Sequence, residues 1–504
     1  MLETYVKKTL KARVYEIAEK VPLDPAVNLS QRTNNTVLLK REDLQPVFSF
    51  KLRGAYNKIV QLSQKEKDQG VIAASAGNHA QGVALSSKKM GIDALIIMPK
   101  TTPEIKVRAV KHLGAKVNLF GNSYDEAYQM ARKLEKEQGR TFVHPYDDPD
   151  VIAGQGTVGM EIMQQCDTEP EAIFVPVGGG GLIAGVSAYV KYLYPQVKII
   201  GVEPDDASSM HDALLANERV ILDQVGIFAD GVAVKQVGEE TFKVAQQCVD
   251  EVVLVSVDEM CAAIKDIFDD TRTVTEPAGA LAVAGLKKYV KEKNIKGKTL
   301  VAINSGANIN FDRLRHVAEQ SELGEHRELL FSVTINECPG SFLKFCKIVG
   351  NRGISEFNYR FSNNDKAQIF VGVKVSDAEK EKETLFHALM NKGYAVTDLS
   401  DNEIAKMHLR YMVGGHAPNV HNEHLYRFEF PERPGALLRF LQGMGQNWNI
   451  SLFHYRNHGA AFGRVLAGIQ VPEQEVDDFH KYLDNLGFNY WDETQNPAYK
   501  EFLG

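Results

Sequence analysis

The chain is poor in cysteine. Its five cysteines (Cys166, Cys248, Cys261, Cys338 and Cys346) are scattered through 504 residues with no Cys-x-x-Cys pair. That spacing argues against a disulfide framework or a cysteine zinc site and suits a reducing compartment. Long hydrophobic runs are missing too: no stretch stays apolar for the roughly 20 residues needed to cross a bilayer. There is no surplus of positive charge either. Lys and Arg number 58 against 65 Asp and Glu, a net charge of -7 that leaves no footprint for nucleic acid or an anionic membrane. Residues 1–8 lack the apolar core of a secretory signal and carry Glu3, unlike a transit peptide, so the cytoplasm is the expected location.

What the chain does have is alternation. Apolar strands at 71–74, 94–98, 116–120 and 141–144 alternate with helical runs at 51–67, 79–90, 103–113 and 124–137. Pro103 opens one run, Gly70, Gly91 and Gly114 close three, and Ser123 with Glu126 has the spacing of a capping box. After a helix over 150–166, strands at 172–177, 198–202, 252–257 and 299–303 continue the pattern, with helices at 182–193 and 258–269. Such βαβ units predict parallel sheets. The expectation is an α/β portion over 1–325 with two lobes, the smaller over about 45–150, and a cleft at the carboxyl ends of the strands.

Beyond Glu325 an internal repeat takes over. Glu337-Cys338-Pro339-Gly340 and Glu432-Arg433-Pro434-Gly435 each follow a strand and open an apolar helix. Ile354-Ser355-Glu356-Phe357-Asn358-Tyr359-Arg360 and Ile450-Ser451-Leu452-Phe453-His454-Tyr455-Arg456 follow in matching order. Two further domains, 326–414 and 415–504, are expected.

Three turns and one lysine carry the candidate chemistry. Lys51 lies between Phe50 and Leu52 ahead of a helix. A lysine held among apolar groups has a lowered pKa and acts as an amine nucleophile, able to form a Schiff base with pyridoxal phosphate. Gly178, Gly179, Gly180 and Gly181 stand between a buried strand and an apolar helix, where glycine N–H groups and the helix dipole suit a phosphate. No Gly-Lys-Ser/Thr follows, which excludes a P-loop, and the spacing fails the dinucleotide fingerprint. Ser75-Ala76-Gly77-Asn78-His79 can hold a substrate carboxylate, with Asn78 on a phenolic ring oxygen, or it is an ordinary turn. Ser305, in Asn304-Ser305-Gly306-Ala307-Asn308, either meets a pyridine nitrogen or sits in a plain turn. Glu203 and Asp205, after another strand, read as solvated carboxylates rather than an ion site.

In this order, Ser49-Phe50-Lys51-Leu52-Arg53-Gly54-Ala55, Ser75-Ala76-Gly77-Asn78-His79-Ala80-Gln81-Gly82, the four glycines and Ser305-Gly306-Ala307-Asn308 resemble the fold type II pyridoxal-phosphate enzymes of the threonine/serine dehydratase group. The paired repeat is similar to the ACT-like regulatory domains of the biosynthetic members. The resemblance covers nearly the whole chain. It implies a two-lobed catalytic domain like the tryptophan synthase β chain, followed by two α+β ACT-like domains. It also implies pyridoxal 5'-phosphate as cofactor, with Lys51 as the Schiff-base lysine and Phe50 packed by the ring. Asn78 then meets the ring hydroxyl, the backbone of Gly178, Gly179, Gly180, Gly181 and Leu182 binds phosphate, and Ser305 meets the pyridine nitrogen. Ser75, Ala76, Gly77, Asn78 and His79 receive the substrate. Glu276 matches a family position near the cofactor, with no role assigned, and no metal site is expected.

The implied reaction eliminates water from L-threonine (or L-serine) and then hydrolyses the released enamine, aminocrotonate from threonine, to 2-oxobutanoate and ammonia. Freed Lys51 acts as the base, and the cofactor phosphate protonates the departing hydroxyl. Isoleucine as inhibitor, valine as opposing effector, a homotetramer and a place in isoleucine biosynthesis follow from the same resemblance. Two other readings compete: a serine racemase-like or serine/threonine dehydratase enzyme without isoleucine control, and a non-catalytic amino-acid sensor. The racemase pattern has a serine before the glycine of the Asn loop, where this chain has Ala76.

Overall fold

A strand that is apolar on both faces needs helices on both sides of its sheet, and the first 324 residues are built that way. In this computed structural model the chain is described over residues 1–504 except 312, 325–327, 362–365, 376–377, 408, 410–411, 413, 432–435, 445–446, 457–461 and 504. Glu325 and the pair Pro434-Gly435 therefore lie outside the described residues. The chain divides into two units, Met1–Gly324 and Glu325–Gly504.

The first unit holds two sheets. The larger runs Leu23–Pro25, Thr36–Arg41, Thr299–Asn304, Ala172–Pro176, Lys198–Pro204, Glu251–Val255 in spatial order, parallel except for its first pair. The smaller runs Lys116–Leu119, Ala94–Met98, Val71–Ala74, Thr141–Phe142, all parallel. Strand periodicity decides which core each residue joins. Ala172 and Phe174 pack on one face with Leu281 and Ile264, while Ile173 and Val175 pack on the other with Ile183 and Val186. In the smaller sheet Val71 and Ala73 face one core, and Ile72 and Ala74 the other.

The run 51–67 is two helices, Lys51–Val60 and Gln64–Gln69. The break has a local cause: Ser63 and Glu66 form a reciprocal capping box that starts a new helix. Helices Ser209–Ala216, Glu239–Cys248 and Pro277–Lys293 also cover stretches left unassigned by the sequence pattern. Glu203 is corrected by the first of these. It is fully buried rather than solvated, because its carboxylate accepts the Met210 and His211 N–H groups (2.9 Å each) in that helix's first turn. Burial, against those N–H groups, pushes its carboxyl up to about 8. Asp205 remains exposed.

In the second unit each repeat copy is larger than its motifs suggested. The first has strands Glu328–Asn336, Gly353–Arg360, Lys366–Lys374 and Ala395–Asp398 with helices Ser341–Val349 and Ala378–Met390. The second has strands Glu423–Pro431, Asn449–Arg456, Phe462–Gln470 and Asn489–Asp492 with helices Ala436–Met444 and Val476–Asn485. The copies share one eight-stranded antiparallel sheet, joined where Gly353–Arg360 pairs with Asn449–Arg456. Both joining strands carry a register shift at the same place, Ile354/Glu356 and Ile450/Leu452. Each copy also sets a serine on a strand-opening glutamate, Ser355 on Glu328 and Ser451 on Glu423. Phe357 and Phe453 meet edge to face at 5.5 Å across the join.

Candidate active site

Loops at the carboxyl ends of parallel strands are where an open α/β sheet binds ligands. Three of them come together in the first unit. Ser75 follows Val71–Ala74, the glycines follow Ala172–Pro176, and Ser305 follows Thr299–Asn304.

Lys51 opens the helix Lys51–Val60, and the segment before it is held against the Ser305 loop. Ser49 bridges Gly306, the Phe50 N–H donates to the Ser305 carbonyl at 3.3 Å, and the Ala307 N–H donates to the Phe48 carbonyl at 2.9 Å. The Lys51 Nζ donates to the Pro145 carbonyl at 3.3 Å and lies 5.4 Å from the Phe50 ring centroid. Burial pushes this amine down to about 8, against the opposing charge of Glu276.

The segment Val143, His144, Pro145, Tyr146 forms a shared floor. His79 Nε2 donates to the Val143 carbonyl at 2.8 Å, Lys51 reaches Pro145, and Tyr146 fills the space beside the glycines. A Cβ on Gly179 would overlap the Tyr146 ring, and one on Gly181 would lie 2.9 Å from Tyr146 Cβ. A Cβ on Gly178 would lie 2.9 Å from Val232 Cα, and Gly180 has a φ of 92° that favours glycine. Thr241 Oγ1 donates to the Gly179 carbonyl at 2.7 Å, fixing the loop at the start of the 13-residue helix Gly181–Leu193, which includes buried Leu182. Helix start and glycine backbone together have the composition that suits an anion.

In the Ser75 turn, the N–H groups of Gly77 and Ala80 both donate to Ser75 Oγ at 3.3 Å. Nothing lies within 4 Å of where a Gly77 Cβ would stand, so this turn borders open space beside Ala76 and Asn78. The His79 ring, bound to Val143, is turned into the protein; burial, with Lys51 nearby, pushes it down to about 3 and keeps it neutral. Ser305 is buried, its hydroxyl donating to the Ala278 carbonyl over a long 3.4 Å. Asn78 joins two residues whose function the sequence pattern left open. Its Nδ2 donates to Glu276 Oε1 at 2.6 Å, and its Oδ1 accepts from Asn308 Nδ2 at 2.7 Å. Asn308 could be seen in the Ser-Gly-Ala-Asn stretch, but Pro145, Tyr146 and Thr241 carry no local signal.

Among the described residues, no three or more His, Cys, Asp or Glu side chains are placed to hold a metal ion, and no helix is long and apolar enough to cross a membrane. All five cysteines are free thiols.

Residues 15–306 match the family described as pyridoxal-phosphate dependent enzyme. Residues 319–409 and 414–503 match the C-terminal regulatory domain of threonine dehydratase. The biosynthetic L-threonine dehydratase of Pasteurella multocida is 54% identical over 500 residues, 99% of this chain and 97% of that protein. That of Escherichia coli is 53% identical over 499 residues, again 99% and 97%. Among solved structures, the processed form of threonine deaminase isoform 2 from Solanum lycopersicum aligns with a TM-score of 0.63 at 49% identity, over 64% of this chain and 88% of that one. The serine racemase of Dictyostelium discoideum aligns with a TM-score of 0.56 at 31% identity, over 61% and 99%.

Proposed function

The chain belongs to the pyridoxal-phosphate-dependent threonine dehydratases that carry a C-terminal regulatory domain, and from that premise we propose how its own residues turn L-threonine into 2-oxobutanoate and ammonia. Pyridoxal phosphate, when bound, supplies an electron sink for the substrate's Cα–H bond. The residues fit that group: the cradle glycines leave no room for side chains, and the lysine amine has a lowered pKa. Lys51 would hold the cofactor and, once released, would take the Cα proton. The N–H groups of the glycine loop and Leu182 would hold the phosphate, Asn78 would donate to the ring oxygen, Ser305 would meet the ring nitrogen, and Phe50 would pack beside it. The turn from Ser75 to His79 receives the substrate carboxylate through its backbone.

The observation that carries this assignment is the Lys51 amine, held between Pro145 and Phe50 and pushed down to about 8. Lys51→Ala should lose both the covalently held cofactor and 2-oxobutanoate formation. Near-normal turnover in that variant would remove Lys51 as the base. A racemase reading is disfavoured by Ala76 and by the Ser75 hydroxyl, which is already engaged by Gly77 and Ala80. D-Serine as a main product from L-serine would reverse that conclusion.

The residues after Glu325 supply none of this chemistry. We assign them to feedback control, with isoleucine as inhibitor and valine opposing it. The match of both repeat copies to the C-terminal regulatory domain of threonine dehydratase supports the reading. Isoleucine must then bind the low-activity state more tightly, by about 1–3 kcal/mol of coupling. We also place the enzyme in the cytoplasm, as a homotetramer, at the first step of isoleucine formation.

A further inference from the structure

Asn78 has its amide orientation fixed from both ends. The Val47 carbonyl can only accept, so Asn308 must present Nδ2 to it, at 2.8 Å. The same Nδ2 lies 2.7 Å from Asn78, which must therefore present its oxygen. Asn78 then has only Nδ2 left to face Glu276, and a carboxylate, which can only accept, meets it at 2.6 Å. Each link excludes the flipped arrangement of the next. One N–H of Asn78 is spent on Glu276 and one remains.

Glu276 is bound to this place in several ways. It is 5% exposed, and it caps the helix Pro277–Lys293 with its N–H donating to the Gly306 carbonyl at 3.1 Å. A Cβ on Gly306 would stand 2.6 Å from Glu276 Oε1, so only glycine leaves room for the carboxylate there. The charged groups that act on it come from three elements. Lys51 opens Lys51–Val60, Lys106 lies on Glu104–His112, and Asp230 lies on the connection after Ser209–Ala216. Lys106 and Asp230 are themselves paired at 2.5 Å.

We propose that Glu276 is a positioning residue for the reaction: as a carboxylate, with Asn308, it locks Asn78 so that the amide offers its remaining N–H, and never its oxygen, to the cofactor's ring oxygen. An Asn78 oxygen turned to that site would set two acceptors against each other. Protonation of Glu276 adds a donor where the clamp needs an acceptor and weakens that end, leaving Asn308 alone to hold the amide. Burial, with Asp230 adding to it, pushes the carboxyl up to about 7, so this weakening is centred near neutral pH. The sign is fixed: the clamp holds at both ends above that pH and only through Asn308 below it.

This inference rests on the assignment of Asn78 to the cofactor, and the experiment separates the two. Holoenzyme, Glu276→Gln, Asn308→Ala and Asn78→Ala are compared by the absorbance spectrum of the bound cofactor across pH, by cofactor affinity from fluorescence titration, and by kcat and KM. Glu276→Gln keeps the shape but presents either an oxygen or an amide to Asn78. It should lower kcat by about 10- to 100-fold, the worth of a hydrogen bond to a charged group, and abolish the acid limb near pH 7 in both kcat and the spectrum. Asn308→Ala, with the carboxylate intact, should change the spectrum in the same direction as Glu276→Gln. If Asn78→Ala alters the spectrum while Glu276→Gln leaves spectrum and pH profile unchanged, the role of Glu276 is overturned. If Asn78→Ala leaves the spectrum unchanged as well, the assignment of Asn78 itself falls.

Discussion

Two residues after Lys51, Arg53 enters a buried charge cluster whose disruption has a calculable cost. Arg53, Glu42, Glu161 and Lys40 have fully buried side chains. Arg53 grips Glu42 through Nε and Nη2 at 2.8 Å each, and Glu161 through Nη1 at 2.6 Å and Nη2 at 3.0 Å. Lys40 Nζ donates to Glu161 at 2.6 Å, to the Val21 carbonyl at 2.7 Å and to Gln165 at 2.9 Å. Two cations balance two anions. Glu161→Gln leaves two cations facing one carboxylate and turns an amide donor toward at least one guanidinium or ammonium donor. Removing one partner of such a buried set costs about 3–5 kcal/mol, which lowers a urea midpoint by about 1–2.5 M for an m of about 2–3 kcal/mol/M. Lys40→Met added to Glu161→Gln restores one cation to one anion. The double variant should therefore recover about 0.5–3 kcal/mol relative to the sum of the singles. Burial alone raises Glu161, but Arg53 and Lys40 hold it below the usual carboxylate range. Its contribution is thus complete above the unfolded carboxyl pKa and is lost as pH falls through the lower folded value. Urea curves at neutral pH and at decreasing pH provide the assay. A Glu161→Gln midpoint equal to the parent's, or strict additivity in the double variant, would refute the argument from charge balance.

Gly179→Ala should weaken cofactor binding by about tenfold or more, since the methyl overlaps the Tyr146 ring and must displace either the ring or the cradle; fluorescence titration of cofactor-stripped protein reads it, and unchanged affinity would remove this glycine from the cradle. A chain ending near Glu325 should keep threonine turnover but lose sigmoidal inhibition by isoleucine and its reversal by valine. An intact enzyme indifferent to isoleucine at every threonine concentration would leave the repeat as an assembly module.

Much of the fold was legible because its signals are local. Each buried strand of the first unit is a short apolar run, and each turn that follows it carries its residues contiguously: Ser75 to His79, Gly178 to Gly181, Asn304 to Asn308. The repeat was legible for the same reason, as two copies of one order of motifs. What escaped was long-range or weakly patterned. The helix Pro277–Lys293 is buried over most of its length, so it lacks the polar face that marks an amphipathic helix. The helix Ser209–Ala216 is short, and its N-terminal cap comes from Glu203 in the preceding strand rather than from an adjacent serine or aspartate.

The residues that arrange the site follow the same division. Groups assigned to the cofactor sit on turns, where a strand ends and a helix begins, and a turn is written in consecutive letters. Groups that hold those turns in place are contributed by other turns: Glu276 lies 198 positions from Asn78, Asn308 lies 230 positions from it, and Pro145 lies 94 positions from Lys51. No window along the chain contains both partners of any of these bonds. The carboxylate that fixes an amide, and the carbonyl that anchors a lysine, become visible only when the sheet brings its strand ends to one side. Glu276 had a place in a motif before it had a partner, and its partner gives it a role: an acceptor in a buried pocket that holds the second end of an amide already oriented by Asn308.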